Sequence, residues 1–260
     1  MLNGRAVLRE LKTHFYQLFN ARRIPLKIKK GIISITFDDV PQSAVVNAVP
    51  VLEKYGLKAT FYVAVGLGED EAVMAQNAAD TFVTPDEIKN LHKAGHEIAC
   101  HTYSHYRLDK GDADGLYADA VKNVSRLKNI LGDVAVKHFS YPFGNVDFAS
   151  KKLLAQQYKS MRSSRPGLNS RVVDMHLLRA TSIYNPSFDK EALIEIIRKT
   201  EQQRGWLILY THGVDAQADD YGCTIEQFNW LVEQCVKSSA TIMPVGQAYE
   251  SIMTSGQAGS

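Results

Sequence analysis

From residue 31 onward the apolar residues fall into two textures that alternate along the chain. Short β-branched and aromatic runs at 32–37, 59–65, 97–101, 136–141, 207–211 and 241–245 have the composition of buried strands. The longer stretches between them carry apolar residues at helical spacing. Thr84, Pro85 and Glu87 supply an N-cap, a first-turn proline and a capping-box glutamate, after which Ile88 and Leu91 share a face and Gly95 ends the run. Leu193, Ile196 and Ile197 make a second face ending near Gly205, and Phe228, Leu231, Val232 and Val236 a third. Pro50, inside 45–55, predicts a kink or a late helix start.

Strands alternating with helices predict βα units around a parallel sheet. About six or seven strands with no Pro/Gly/Ser-rich linker between them predict one closed or nearly closed α/β barrel rather than two domains. The expected organisation is a barrel over residues 31–253, with a surface insertion at 66–83 and a frayed tail at 254–260.

Composition changes this picture only at the N-terminus. The 260 residues are 45% hydrophobic and 22% charged, which excludes a disordered or collagen-like chain and leaves a sizeable core. The net charge of +2 divides unevenly: residues 1–30 hold eight Lys/Arg against the single acid Glu10, and the remainder holds 22 basic against 27 acidic residues. Leu8, Leu11, Phe15 and Leu18 follow helical spacing among those basic residues. This predicts a basic amphipathic helix that packs on its own barrel or makes peripheral contact with an anionic membrane. Nucleic acid is not expected, because the basic face is confined to one short element. No stretch has the length of a membrane-spanning helix and no secretory signal is recognisable. Cys100, Cys223 and Cys235 are odd in number and widely spaced, as for reduced thiols. The expectation is a soluble, cytoplasmic protein, at the inner face of the membrane if the leader binds there.

Three strand ends carry candidate chemistry. Asp38 and Asp39 follow the first strand, His101 and His105 follow the third, and His212 ends the run Leu207-Ile208-Leu209-Tyr210-Thr211. Each alone has a bland reading: Asp caps turns, and a strand-end histidine is commonly a packed residue. In a parallel barrel, however, the carboxyl ends of the strands gather the ligand-binding residues. One Asp with two His leaves positions open on a metal, and a second Asp and a third His remain for proton traffic. A non-heme iron oxygenase uses the same ligand types.

The order of Thr36-Phe37-Asp38-Asp39, His101-Thr102-Tyr103-Ser104-His105, Ser140-Tyr141-Pro142-Phe143-Gly144 and Leu207 through His212 resembles the polysaccharide deacetylases, the NodB-homology family or carbohydrate esterase family four. The resemblance covers roughly residues 31–250. It implies a distorted, TIM-like (β/α) barrel, usually of seven strands, and metal-dependent removal of an N-acetyl group from an amino sugar. By position it implies Asp38 as general base, Asp39, His101 and His105 as metal ligands, His212 as general acid and the Phe143 N–H as the oxyanion donor. Zinc is the default ion for that ligand set, with cobalt or nickel as substitutes. An N-acetylated glycan, or a lipid- or nucleotide-linked precursor of one, is the implied substrate, the precursor being favoured.

Three departures stand beside these matches. Val40 occupies a position where many members have glycine, and Ser140 one where many have the arginine that orients the base. The Asp/Trp-containing fourth motif has no counterpart, and with Ser140 this makes a catalytically silent glycan-binding barrel the non-enzyme alternative. Arg179, in Leu177-Leu178-Arg179, is the expected replacement for the missing arginine; Arg162 and Arg165 are expected to be solvated or to meet an anionic substrate.

Overall fold

A computed structural model of the protein describes residues 21–76 and 81–257. The strands of its main sheet are β1 (Ile32–Asp39), β2 (Thr60–Val63), β3 (Glu97–Cys100), β4 (His138–Ser140), β5 (Ser160–Arg162), β6 (Thr181–Ser182), β7 (Trp206–Thr211) and β8 (Thr241–Ile242). They form one parallel sheet in the order β5-β4-β3-β2-β1-β7-β6, with β8 beside the first residues of β1. The two ends of that path meet: Ser163 N–H donates to Leu178 O and Ala180 N–H to Arg165 O, both at 2.9 Å. The result is the expected distorted α/β barrel, with seven strands on the continuous path and β8 as a two-residue addition.

The strands β5 and β6 escape sequence periodicity because they hold only three and two residues. Long strands show instead the period of two that matters for function. In β1, Ile33, Ile35 and Phe37 join the larger apolar cluster with Leu52, Ile88, Leu209 and Phe228. The alternate residues Ser34, Thr36 and Asp38 are buried on the other face. There the Trp206 indole N–H donates to Ser34 Oγ (3.0 Å) and Thr36 Oγ1 donates to Leu209 O (3.0 Å). This alternation delivers Asp38 to the barrel interior at the carboxyl end of its strand.

The helices follow local signals closely. α1 (Val49–Lys54) starts late, after a π-helical turn at Ala44–Ala48, with Pro50 in its first turn. α2 is Glu71–Gln76. α3 (Pro85–Lys93) has the capping box formed by Thr84 and Glu87, and Gly95 follows at φ 87°. α4 (Ala113–Leu131), α5 (Phe148–Leu154), α6 (Lys190–Gln203) and α7 (Ile225–Lys237) complete the outer layer, and α8 is Val245–Gln257.

Three expected boundaries shift. The chain joins the fold before residue 31, since Arg23–Pro25 pairs antiparallel with Val172–Asp174 and Ile28 is buried. The proposed amphipathic face of the leader lies in residues 1–20, outside the described residues. The barrel does not end at 253 in a frayed tail, because α8 continues to Gln257. The first amides of α8 are capped by the sheet: Val245 N–H donates to Thr60 Oγ1 (2.9 Å) and Gly246 N–H to Glu97 Oε2 (2.9 Å). Finally, 66–83 is not wholly a surface insertion. Gly66, Leu67, Phe82 and Val83 are buried, and Gly66 N–H donates to Tyr103 O at 2.9 Å.

Candidate active site

All four strand-end candidates of the two acid and histidine pairs converge. His101 Nε2 lies 3.4 Å and His105 Nε2 3.5 Å from Asp39 Oδ1, and His212 Nε2 lies 4.0 Å from Asp39 Oδ2. Asp39, His101 and His105 offer ligand atoms all within 4.8 Å of one another, the single such group among the described residues. The backbone is bent to achieve this. Seven described non-glycine residues have positive φ, and five of them are Asp39, Val40, Thr102, His105 and Phe143. Val40 and Thr102 are β-branched and sit at φ 62° and 63°, a conformation L-residues adopt at a cost of roughly 1–3 kcal/mol each. Strain is therefore concentrated where the strands hand over to the site.

The loop carrying His105 is fixed by a residue that sequence reading did not single out. Asp119, on α4, accepts from the backbone N–H of Tyr103 (2.7 Å) and Ser104 (2.9 Å) with Oδ1, and from the Ser104 hydroxyl (3.0 Å) with Oδ2. Tyr106 N–H donates to Thr102 Oγ1 at 2.9 Å, closing the turn from within.

The electrostatics test whether a cation fits. His101 Nδ1 is 2.8 Å from Ser140 O, and since a carbonyl only accepts, the proton sits on Nδ1 and the Nε2 lone pair faces Asp39. Burial pushes His101 and His105 down to about 4, so both rings are neutral at physiological pH. Burial, with the neighbouring Asp38 charge adding to it, pushes Asp39 up against the pull of His101 and His212. Asp39 Oδ1 is buried without a hydrogen-bond partner. The unprotonated Nε2 of His101 and an unpartnered carboxylate oxygen turned toward one another, with His105 Nε2 beside them, suit a divalent ion.

Asp38 has a different partner. The buried Arg162 guanidinium donates from Nη2 to Asp38 Oδ1 and lies between the rings of Tyr62 (4.8 Å) and Tyr210 (4.7 Å). Burial alone would raise the Asp38 carboxyl, but Arg162, His101 and His212 together hold it below its usual range. Arg162, expected from the sequence to be solvated or to meet an anionic substrate, is instead the buried partner of Asp38, and it corrects the expectation for Arg179. Arg179 is half-buried, donates from Nη1 to Pro166 O (3.0 Å) and lines a pocket with Arg23 and Asn169. It precedes β6, so it stands at the amino end of the parallel strands, the end away from Asp38. Ser140 and Arg162 are register partners on β4 and β5, so the guanidinium absent from one strand arrives from its neighbour.

Phe143 and His212 complete the site. Phe143 occupies a left-handed turn at φ 57°, with its ring centroid 4.3 Å from that of His105. His212 packs between Tyr184 and Tyr221, each 5.6 Å from it by ring centroid. The sequence resemblance is therefore matched by convergence of Asp38, Asp39, His101, His105 and His212.

Comparison with known proteins places this geometry in context. The chain matches a "Chitin deacetylase" of Arthroderma benhamiae at 30% identity over 129 residues, 49% of this chain and 32% of the relative. It matches a "Peptidoglycan-N-acetylglucosamine deacetylase" of Bacillus cereus at 30% identity over 118 residues, 45% of this chain and 38% of the relative. The aligned part thus spans only about a third of the length of each of these curated relatives. In fold it resembles Bacillus subtilis PdaA, a family 4 carbohydrate esterase, with a TM-score of 0.57 over 95% of this chain and 89% of that one at 16% identity. The family profile for polysaccharide deacetylase matches residues 26–160, which includes Asp38, Asp39, His101, His105 and Phe143. On that match and this fold, the chain belongs to the polysaccharide deacetylase family.

Proposed function

We propose that the protein hydrolyses the N-acetyl group of an amino-sugar residue in a glycan, with a divalent ion held by Asp39, His101 and His105. The observation that carries this reading is the division of labour between two adjacent carboxylates. Asp39 faces two neutral imidazoles, and Asp38 is held ionised by a buried arginine. A divalent ion, zinc by ligand type with cobalt or nickel as alternatives, would supply Lewis-acid polarisation of the acetamide oxygen and a lowered pKa for bound water.

The chain's own groups account for the proton movements. Asp38 accepts a proton from the attacking water, and Arg162 keeps that carboxylate charged and aimed. The Phe143 amide, in its left-handed turn, is the donor to the oxygen that becomes negative as the carbonyl carbon turns tetrahedral. His212 gives a proton to the departing nitrogen, which leaves as an amine. Asp38 and Arg162 also bear on the catalytically silent alternative: the partner missing at Ser140 is supplied by Arg162, so the base retains its orienting charge.

The relatives' names support N-acetylglucosamine polymers as first candidates for the substrate, beside the lipid- or nucleotide-linked precursors favoured on sequence. The test is acetate release by metal-loaded protein from N-acetylglucosamine oligomers, peptidoglycan fragments, UDP-N-acetylglucosamine and lipid-linked N-acetyl sugars. Release from one class and not the others assigns the substrate; release from none contradicts the reading.

A further inference from the structure

Two of the three exposed aromatic rings among the described residues lie at the site. Among the described residues, the aromatic side chains standing out as large exposed apolar groups are Phe143, Phe148 and Tyr221, at 43%, 41% and 59%. Two of these three lie against histidines that approach Asp39: Phe143 against His105 and Tyr221 against His212. Each ring attends a different histidine, and so a different part of a substrate lying across the site.

Tyr221 is exposed yet held. Its backbone N–H donates to Asp219 Oδ1 (2.9 Å), and its carbonyl accepts from the His212 N–H (3.1 Å) and from Thr211 Oγ1 (3.4 Å). The loop that carries it is closed at its base by parallel pairing of Val214–Asp215 with Cys223–Thr224. Its ring also meets Tyr184 edge-on at 5.8 Å. An apolar ring kept in water on an ordered backbone has surface to bury and little conformational freedom left to lose, the economy of an aromatic binding anchor. Core packing does not explain a side chain that is 59% exposed.

The direction of the reaction assigns the two rings. In the proposed hydrolysis His212 protonates the nitrogen, which is bonded directly to a carbon of the sugar ring, so the pyranose lies on the His212 side. The acetyl carbonyl lies toward the Phe143 amide. We infer that Tyr221 is the platform on which the pyranose bearing the scissile acetamide packs its C–H face, and that it determines specificity for the sugar rather than for the acyl group. The inference rests on the deacetylation proposed above.

The experiment uses the β-1,4-linked N-acetylglucosamine tetramer with the metal-loaded full chain. Steady-state acetate release is measured for wild type, Tyr221→Ala and Tyr221→Trp, and calorimetric binding for Asp38→Asn alone and combined with Tyr221→Ala. Removing the ring should raise KM and Kd about tenfold while kcat stays within about threefold, and tryptophan should restore both constants. The zinc-induced rise in Tm should be the same in wild type and Tyr221→Ala, separating a platform from a disturbed metal site. Unchanged KM and Kd in Tyr221→Ala, with wild type active, would overturn the platform and leave the deacetylation reading intact. If wild type releases no acetate from the tetramer, that glycan fails as substrate, and the binding arm alone decides: tenfold weaker binding without the ring sustains the platform, and equal or absent binding overturns it.

Discussion

Arg162 stands in parallel register beside Ser140 and directs its guanidinium to Asp38. The pair is buried, and removing one partner of such a pair typically costs about 3–5 kcal/mol because the other charge is left uncompensated. Arg162→Ala should therefore lower stability by that order and activity by more than a hundredfold. The informative variant is the exchange Ser140→Arg with Arg162→Ser, which moves the guanidinium back to the adjacent strand. It should recover at least a tenth of the wild-type kcat lost in Arg162→Ser, measured by acetate release; no recovery would mean that reach from β4 is blocked.

Metal binding should be visible without any substrate. A ligand present at a hundred times its Kd stabilises the native state by about 2.7 kcal/mol, roughly 5–10 °C in Tm for a chain of this size. Zinc should give that shift in wild type and lose it in His101→Ala and in His105→Ala, with chelator reversing it. Thermal melts at matched protein concentration check this.

Asp119 should tune metal affinity from a distance. It touches no proposed ligand, but it holds the amides of Tyr103 and Ser104 that set the position of His105. Asp119→Ala should weaken zinc binding by about 10–100-fold, as loss of outer-shell support commonly does, while the chain remains folded. Competition with a chromophoric chelator reads the affinity directly.

Acid sensitivity should come partly from a histidine far from the chemistry. His96 is buried, accepts from the Ala59 N–H through Nδ1 (3.1 Å), and is pushed down to about 4 by burial and by Lys58. The folded protein thus favours the neutral ring, and below about pH 6.5 the unfolded chain binds the proton more tightly. The stabilising contribution is complete above that pH and is lost as pH falls toward 4. His96→Asn keeps an acceptor for Ala59 and should flatten the fall in denaturant midpoint over this window; an unchanged slope would assign the sensitivity to other groups.

The parts legible in the sequence were those written in contiguous residues. The capping box at Thr84 and Glu87, the long strands β1 and β7, and the five acid and histidine positions at strand ends each declare themselves within a few residues. Arg162 was not legible, because its relation to Ser140 exists only through the register of two three-residue strands, too short to show a period. Arg179 misled for the complementary reason: it lies near a strand, but at the amino end. Val40 shows a third kind of limit. The turn keeps the left-handed backbone that glycine would favour, at φ 62°, and the buried isopropyl group joins the core cluster.

The central claim is that Asp38 removes a proton while Asp39 and the two histidines hold the ion. The most direct measurement is acetate release by zinc-loaded protein from its best N-acetylated glycan, compared with Asp38→Asn at equal zinc occupancy. The account predicts a fall in kcat of at least a hundredfold in Asp38→Asn with zinc still bound, and complete loss of wild-type release on chelation. Turnover by Asp38→Asn at the wild-type rate, or turnover that survives removal of the ion, would contradict it.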